Sequence, residues 1–262
     1  MNKTMQNIKI IFFDIDGTLI DMHRKQISGK MLETLIRLKK RNILLCIATG
    51  RTPITLPHIE GIEFDAFLTF NGSYCYTKEQ DIFSSPIPAD DVQTIIQNAA
   101  SINRPVSIAS KDRIAANGRD RDLVEYYAFA KLDVEVAEDF EQLSHSEIYQ
   151  IMLGCREADY PHLLRNTEQA KITAWWDRAA DIIPAGSGKG IGVDKILAYY
   201  HLDRSQALAF GDGNNDLEML QAVGCGVAME NGSARLKAAA DDLCGHVAED
   251  GIYHYCTAHG LI

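Results

Sequence analysis

The stretch that decides the fold is Ile8–Leu19, with the sequence IKIIFFDIDGTL. Its first six residues form an almost continuous β-branched and aromatic run, which is typical of a strand buried on both faces of a parallel sheet. The aspartates that follow, Asp14 and Asp16, therefore stand at the carboxyl end of a predicted strand. Ligands of open parallel sheets bind outside this edge. The stretch predicts an α/β fold with a chemically active loop after its first strand.

The order of predicted elements on either side of this stretch supports a parallel sheet. Ser28 predicts the N-cap of a helix with an apolar stripe, and Ile43–Ala48 predicts a second buried strand. A strand, a helix and a strand in this order form a right-handed βαβ unit. Near the other end of the chain, Ala207–Phe210 predicts a further strand of the same kind. We expect residues 1–81 and 185–262 to form one doubly wound, mostly parallel sheet with helices.

The middle of the chain has a different pattern. Between residues 82 and 184, predicted helices such as Tyr160–Thr167 alternate with predicted strands such as Ile148–Leu153. Prolines lie near the start of this segment, and a Pro- and Gly-containing stretch, Pro184–Gly188, ends it. The segment is predicted to be a smaller α+β domain inserted into the core.

Composition excludes several classes of protein. The 262 residues carry a formal net charge of −10, and no Lys/Arg-rich run provides the basic patch that a nucleic-acid-binding protein needs. No uninterrupted apolar run approaches the roughly 18 residues of a membrane span. The six cysteines contain no Cys-x-x-Cys pair, so reduced thiols are expected rather than a disulfide framework or a zinc site. The sequence therefore predicts a cytoplasmic protein that binds neither nucleic acid nor a membrane.

Polar residues with complementary chemistry follow three predicted strands. Asp14 and Asp16 follow the first strand, Thr49 and Gly50 follow the second, and the segment 211–216 (GDGNND) follows a later one. Cleavage of a phosphate monoester by a carboxylate requires a cation that removes the repulsion between two anions. It also requires donors that hold the phosphoryl oxygens and an acid that protonates the leaving oxygen. The three strand ends, together with Lys189, contain each of these groups.

Each motif taken alone has a simpler interpretation. An Asp-x-Asp-Gly segment is commonly a turn, and this one lacks the later acidic ligands of an EF-hand loop. The segment 186–189 (GSGK) is similar to the end of a P-loop, but Ile183 and Gly190 replace the glycine and the Ser/Thr that a P-loop requires. The joint occurrence of the motifs, each after a buried strand, favours a catalytic interpretation.

In this order the motifs resemble the four motifs of the haloacid dehalogenase superfamily. The position of the insert and the form of the 211–216 segment resemble the Cof-type sugar phosphatases, which carry a type IIB cap. The resemblance implies that Asp14 attacks phosphorus and also binds Mg²⁺, while Asp16 is the general acid and base. It further implies that the backbone carbonyl of Asp16 and the side chain of Asp212 complete the protein ligands of Mg²⁺. Asp216 would support the metal or the neighbouring lysine without binding the metal directly.

The resemblance also assigns the phosphate-binding residues. Thr49, Gly50 and Asn215 would bind phosphate oxygens, and Lys189 would neutralise the phosphate and steady Asp14. The implied substrate is a small phosphorylated metabolite, in particular a sugar phosphate, and the implied intermediate is an aspartyl-phosphate.

The predicted cap contains candidate specificity residues. Trp175, Trp176 and Arg178 combine aromatic surface with a charge, which suits the apolar face and the hydroxyls of a sugar. The alternative is that a tryptophan belongs to the cap core and that the arginine is solvated.

Two other functions stay open at this point. One is a phosphomutase of the same superfamily, which needs basic cap residues to hold a second phosphate; the insert offers Arg104, Lys111, Arg113, Arg119, Arg121 and Arg178. The other is a non-catalytic sensor of phosphorylated metabolites, which the presence of both Asp14 and Asp16 makes less attractive.

Overall fold

A computed structural model describes residues 5–24, 26–130 and 132–262. The chain divides into two compact units. The first comprises Met1–Gly50, Pro57–Phe83 and Gly188–Ile262, and the second comprises Arg51–Leu56 and Ser84–Ser187. The sequence predicts an insert over residues 82–184, and that prediction assigns the short segment 51–56 to the core.

The strands are β1 (Ile10–Phe13), β2 (Leu44–Ala48), β3 (Ala66–Thr69), β4 (Tyr74–Tyr76), β5 (Asp81–Ser84), β6 (Val106–Ala109), β7 (Ile114–Ala116), β8 (Gln150–Gly154), β9 (Ala170–Trp176), β10 (Ala179–Pro184), β11 (Ala207–Gly211), β12 (Cys225–Met229) and β13 (Asp242–Cys244). The helices are α1 (Gly29–Lys40), α2 (Ala89–Ser101), α3 (Arg121–Phe129), α4 (Phe140–Leu143), α5 (Tyr160–Leu163), α6 (Lys189–Tyr199), α7 (Leu217–Gln221), α8 (Ala234–Ala239) and α9 (Gly251–Ala258).

The first unit is built on an eight-stranded sheet with the order β13-β12-β11-β1-β2-β3-β4-β5. Its six strands from β13 to β3 run parallel, and β4 is antiparallel to β3. This arrangement confirms the predicted α/β class with a mostly parallel sheet. The strands β11, β1 and β2 are neighbours, so their carboxyl ends lie side by side.

The central strands are buried because helices cover both faces of the sheet. Every residue of β1 is fully buried. On one face, Ile10 and Phe12 belong to a hydrophobic cluster with residues of α6 and α7. On the other face, the ring of Phe210 contacts the ring of Tyr255 in α9, with the centroids 5.5 Å apart. The continuous apolar run that predicted β1 follows from this double burial.

Helix α1 begins where the sequence predicts. The hydroxyl of Ser28 accepts a hydrogen bond from the backbone N–H of Met31, which is the geometry of an N-cap. Met31, Leu35 and Leu38 are buried, so the predicted apolar stripe faces the sheet.

The second unit is an antiparallel sheet with the order β7-β6-β8-β10-β9. Alternate residues of β6, β8 and β10 form a hydrophobic cluster with residues of α2 and α5. The opposite face contacts α3, in which the hydroxyl of Tyr127 bonds Ser107 of β6. The predicted α+β character of this segment therefore matches its structure.

Two local predictions in this unit differ from the structure. The helix predicted over Tyr160–Thr167 ends at Leu163, and Asn166 adopts a left-handed backbone with φ of +61° that does not continue a helix. Strand β10 was not predicted, since Asp181 interrupts its apolar pattern. In the structure this aspartate accepts a hydrogen bond from the hydroxyl of Tyr126, which offsets part of the cost of its burial. Over the part of the chain that the structure describes, the helices are all too short or too polar to cross a membrane.

The core of the first unit gives a direct stability prediction. Leu68 in β3 is fully buried, so we expect Leu68→Ala to lower the free energy of unfolding by about 2–5 kcal/mol. Leu243→Ala is the matched control, since Leu243 is 54% exposed, and we expect a change of at most about 0.5 kcal/mol. Chemical denaturation of both variants measures the two values. Equal losses would show that β3 does not lie in the core.

Candidate active site

The candidate active site lies at the carboxyl ends of β11, β1 and β2. Asp14 directly follows β1, Thr49 follows β2 and Asp212 follows β11. Backbone hydrogen bonds extend the sheet to two of these positions: Asp14 N–H donates to the carbonyl of Phe210, and Thr49 N–H donates to that of Leu68. Because the three strands are parallel neighbours, the side chains that the sequence places in separate segments meet at one edge.

Lys189, the first residue of α6, lies at the centre of this edge. Its side chain is fully buried, and its ammonium group donates to Asp14 Oδ1 at 2.7 Å and to Asp216 Oδ1 at 2.5 Å. A buried ammonium group is costly unless carboxylates compensate it. Burial alone would lower the pKa of Lys189, but the charges of Asp14 and Asp216 raise it above its usual value. The lysine is therefore a permanent cation that fixes the orientation of two carboxylates.

The turn after β3 allows Lys189 to reach this position. Gly72 has a φ of +95°, and a Cβ atom at this residue would lie 2.1 Å from the carbonyl oxygen of Gly188. Only glycine permits both the backbone conformation and the close approach. The Asn71-Gly72 turn thus makes room for the residue before Lys189.

Both oxygens of Asp216 are engaged in orienting other groups. Oδ1 accepts from Lys189, while Oδ2 accepts from the backbone N–H groups of Asp212 and Gly213 at 3.0 and 2.9 Å. These bonds fix the backbone of the loop that carries Asp212. Such a carboxylate is better suited to supporting a metal ligand than to binding a metal itself.

Asp14 and Asp212 each keep one oxygen without a hydrogen bond. Lys189 donates to Asp14 Oδ1, and the Thr18 hydroxyl donates to Asp212 Oδ1 at 2.8 Å. Within residues 5–24, 26–130 and 132–262, the structure gives no hydrogen-bond partner to Oδ2 of either aspartate. Carboxylate oxygens of Asp14, Asp212 and Asp216 lie within 4.8 Å of one another. Two carboxylates that each present an oxygen suit a hard divalent cation.

The electrostatics of the cluster also fit a cation. Burial raises the pKa of Asp14 to about 7, with further contributions from Asp216 and Asp16, while Lys189 opposes the shift. Burial, together with the charges of Asp14 and Asp216, raises the pKa of Asp212 well above its usual value. When all three carboxylates are ionised, they exceed the single ammonium group by two negative charges. A divalent cation would balance them.

Asp16 stands apart from the carboxylate cluster. It lies two residues after Asp14, and its side chain is only half-buried. Gly17 follows it with a φ of +88°, and a Cβ atom there would lie 2.3 Å from Asp212 Oδ2. The glycine therefore keeps side-chain atoms away from the unbonded oxygen of Asp212 while the chain turns.

Asn71, whose role the sequence did not predict, contacts the residues that the resemblance assigns to phosphate binding. Asn215 Nδ2 donates to Asn71 Oδ1 at 3.1 Å, and Asn71 N–H donates to the carbonyl of Thr49 at 3.0 Å. A Cβ atom on Gly50 would lie 3.0 Å from Asn71 Nδ2, so Gly50 also approaches this side chain closely. Asn71 is buried and connects the predicted phosphate-binding residues. Its position shortly after a parallel strand was the signal that could have identified it.

The candidate specificity residues lie in the second unit. The guanidinium of Arg178 is 4.3 Å from the ring centroid of Trp176 and forms ion pairs with Asp122 and Glu125. The ring of Trp176 also contacts Phe129 of α3 edge-on. Trp176 and Arg178 thus contact each other and α3, whereas the side chain of Trp175 lies outside what the structure describes.

Comparison with known proteins identifies the family. The family model for haloacid dehalogenase-like hydrolases matches residues 11–256. The chain belongs to this family.

Among its relatives in the family is YkrA of Bacillus subtilis (strain 168), 31% identical over 256 residues, covering 97% of this chain and 98% of that protein. The 5-amino-6-(5-phospho-D-ribitylamino)uracil phosphatase YitU of the same organism is 29% identical over 260 residues, covering 94% of this chain and 95% of YitU. The solved structure of the subclass IIB sugar phosphatase BT4131 superposes with a TM-score of 0.88 at 29% identity, covering 97% of this chain and 100% of that one.

These similarities confirm the Cof-type, subclass IIB resemblance and the predicted fold class. They show that this haloacid dehalogenase-like hydrolase is a phosphoric monoester hydrolase, a phosphatase of small phosphorylated metabolites.

The close approach at Gly72 gives a prediction for this site. We expect Gly72→Ala to lower both stability and turnover, because the new Cβ would push against the Gly188 carbonyl and displace Lys189. Gly61→Ala is the matched control: Gly61 also has a positive φ of +84°, but a Cβ there would meet nothing within 4 Å. Backbone strain alone should cost about 1–2 kcal/mol in each variant. Thermal melting and phosphatase assays should show an additional loss only for Gly72→Ala, and equal behaviour of the two would contradict this role.

Proposed function

We propose that this chain is a Mg²⁺-dependent phosphatase that hydrolyses a sugar phosphate or a similar small phosphate monoester through an aspartyl-phosphate on Asp14. One observation carries the proposal. Asp14 is oriented by Lys189 through Oδ1, and carboxylate oxygens of Asp14 and Asp212 lie within 4.8 Å of each other. That arrangement combines a carboxylate oriented by an ammonium group with a neighbouring position for a cation.

In the first step, the carboxylate of Asp14 forms a bond to phosphorus as the bond to the leaving oxygen breaks. Asp16 donates its proton to that oxygen, so the product leaves as a neutral alcohol. Lys189 stays charged throughout and holds Asp14 in the orientation needed for in-line attack. Thr49, the backbone N–H of Gly50 and Asn215 would bind the phosphoryl oxygens, with Asn71 orienting Asn215.

In the second step, water replaces the aspartyl oxygen at phosphorus. Asp16, now deprotonated, accepts a proton from this water as it attacks, so inorganic phosphate is released and Asp14 is regenerated as a carboxylate. The half-buried position of Asp16, outside the carboxylate cluster, suits a group that must meet both the leaving oxygen and water.

The residues that would hold Mg²⁺ are the side chains of Asp14 and Asp212 and the backbone carbonyl of Asp16. Mg²⁺ would supply positive charge that removes the repulsion between the carboxylate of Asp14 and the phosphoryl group. Asp216, whose oxygens are both engaged, would orient the loop of Asp212 and the ammonium group of Lys189.

Charge pairing in the second unit gives no support to the phosphomutase alternative. A mutase needs basic groups there that can hold a second phosphate. Four of the candidates pair with carboxylates of the same unit, namely Arg104, Arg113, Arg121 and Arg178. The sensor alternative also has no specific support, since the charged groups needed for turnover lie together in the first unit.

The substrate class is proposed from two relatives. One acts on a phosphate carried by a ribityl chain, and the other is a sugar phosphatase. The proposal retains Trp175, Trp176 and Arg178 as specificity residues. However, the ion pairs of Arg178 favour a role in supporting Trp176 over direct binding of a phosphate.

The nucleophile assignment is tested by Asp14→Asn. We expect phosphate release from a panel of phosphorylated sugars and polyols to fall by at least about 10³-fold, because an amide does not attack phosphorus. The fold should persist, since an asparagine oxygen can still accept from Lys189. Asp194→Asn is the matched control, because Asp194 forms an exposed ion pair with Arg204 whose loss should leave turnover unchanged. Turnover by Asp14→Asn comparable to that of the unmodified protein would reject the assignment.

Metal dependence is tested separately. We expect EDTA to abolish phosphate release, Mg²⁺ to restore it, and Ca²⁺ to inhibit, because its larger and looser coordination shell spoils in-line geometry. Calorimetric titration with Mg²⁺ provides a readout that does not depend on activity, and Asp212→Asn should weaken that binding. Equal rates with and without EDTA would contradict the proposed cofactor.

A further inference from the structure

The loop between β12 and α8 contacts two loops of the candidate active site. One follows β1 and carries Asp16, and the other follows β11 and carries Asp212. We refer to Glu230–Ser233 as the clamp loop. The side chain of Asn231 in this loop donates from Nδ2 to the backbone carbonyl of Gly17 at 2.7 Å. Gly17 directly follows Asp16, so the contact acts on the segment that carries the proposed acid and base.

The other end of the Asn231 amide is also engaged. Its Oδ1 accepts a hydrogen bond from the backbone N–H of Val247 at 3.0 Å. The side chain therefore spans two backbone segments, one donating to it and one accepting from it. An amide that is satisfied at both ends has a defined orientation, since exchanging its oxygen and nitrogen would break both bonds.

The rest of the clamp loop contacts the loop that carries Asp212. Ser233 N–H donates to the carbonyl of Asp212 at 2.9 Å, and its hydroxyl donates to Asn214 Oδ1 at 2.7 Å. A Cβ atom on Gly232 would lie 3.1 Å from the Asp212 carbonyl oxygen, so the loop follows this backbone closely. The clamp loop thus contacts the backbone at Gly17 and at Asp212, in the two loops that carry the proposed cation ligands.

The contact at Gly17 has a consequence for Asp212. The carbonyl of Gly17 belongs to the same peptide plane as the N–H of Thr18, so fixing the carbonyl also restricts Thr18. The hydroxyl of Thr18 in turn donates to Asp212 Oδ1. Through this bond, the orientation of the Gly17–Thr18 peptide affects the orientation of the Asp212 carboxylate.

We propose that Asn231 is a positioning residue, which holds the Gly17–Thr18 peptide so that the Asp16 carbonyl and Asp212 present their oxygens in one place. The inference rests on the proposed function, and it assigns Asn231 no contact with substrate. It predicts that loss of the Asn231 amide donor weakens cation binding and turnover while substrate affinity is retained.

Two variants separate the two bonds of the amide. Asn231→Ala removes both, whereas Asn231→Asp keeps an acceptor for Val247 and loses the donor to Gly17. For both we expect kcat and Mg²⁺ affinity to fall by about 10- to 100-fold, as for other residues that orient metal ligands, with KM within about twofold. Asn231→Asp is the sharper case, since its added negative charge would strengthen Mg²⁺ binding if only long-range electrostatics mattered.

A matched control distinguishes positioning from general stabilisation. Asn98 in α2 donates from Nδ2 to the carbonyls of Leu163 and Arg165 in the second unit, so Asn98→Asp also removes an amide donor from backbone carbonyls. We expect this variant to melt at a lower temperature with unchanged kcat and Mg²⁺ affinity.

The outcomes of these measurements are separable from those of the proposed function. Calorimetric Mg²⁺ titration and steady-state kinetics on the full chain give both quantities for every variant. Mg²⁺ affinity and kcat within twofold of the unmodified protein for Asn231→Asp would overturn the inference and leave the proposed function standing. An unmodified protein that neither binds Mg²⁺ nor releases phosphate would overturn both.

Discussion

The arrangement of the active site depends on the buried ammonium group of Lys189. This group is excluded from water, so its charge is stable only because Asp14 and Asp216 accept its hydrogen bonds. The pairing fixes one oxygen of each carboxylate and thereby determines which oxygens remain. Since Lys189 begins α6 and Asp14 directly follows β1, the ion pair also joins segments that are 175 residues apart in the sequence. The removal of Lys189 would leave the buried carboxylates of Asp14 and Asp216 without a positive charge beside them.

The distribution of hydrogen bonds among the carboxylates then divides their roles. Asp216 uses both oxygens on Lys189 and on backbone N–H groups, whereas Asp14 and Asp212 each use one. Three acidic side chains that are equivalent by residue type thus become two groups able to bind a cation and one that supports them. Proximity alone does not make this distinction, because oxygens of all three lie within 4.8 Å of one another. The distinction follows from the hydrogen bonds that each carboxylate forms with neighbouring groups.

This division explains how far the sequence could predict the site. Asp14 and Asp212 were predictable because each follows a buried strand, and parallel strands bring such positions to a common edge. Asn71 also follows a strand of this sheet, but its role was harder to predict because an Asn-Gly pair commonly forms a turn. Nothing in the sequence indicated a role for Asn231. Its side chain bonds the backbone carbonyl of Gly17, and a residue of any type has such a carbonyl.

Burial also determines which strands could be predicted from the sequence. The strands β1, β2 and β11 were predictable because burial on both faces imposes an uninterrupted apolar run. Strand β10 was not, since the buried Asp181 depends on Tyr126 of α3, a contact made only after the second unit has folded.

A chain with a net charge of −10 is at first sight a poor partner for an anionic substrate. In a buried site, the nearest charges determine the electric field at a phosphoryl group, because they are little screened. Charges on the distant surface contribute less, because solvent and salt screen them. At the carboxyl edge of the sheet the nearest charges are an ammonium group that cannot readily lose its proton and carboxylates whose pKa values are raised by burial and by their mutual repulsion. A cation that relieves this repulsion also turns the edge from one that repels phosphate into one that attracts it. The acidic cluster and affinity for an anion are therefore compatible, with the cation as the link between them.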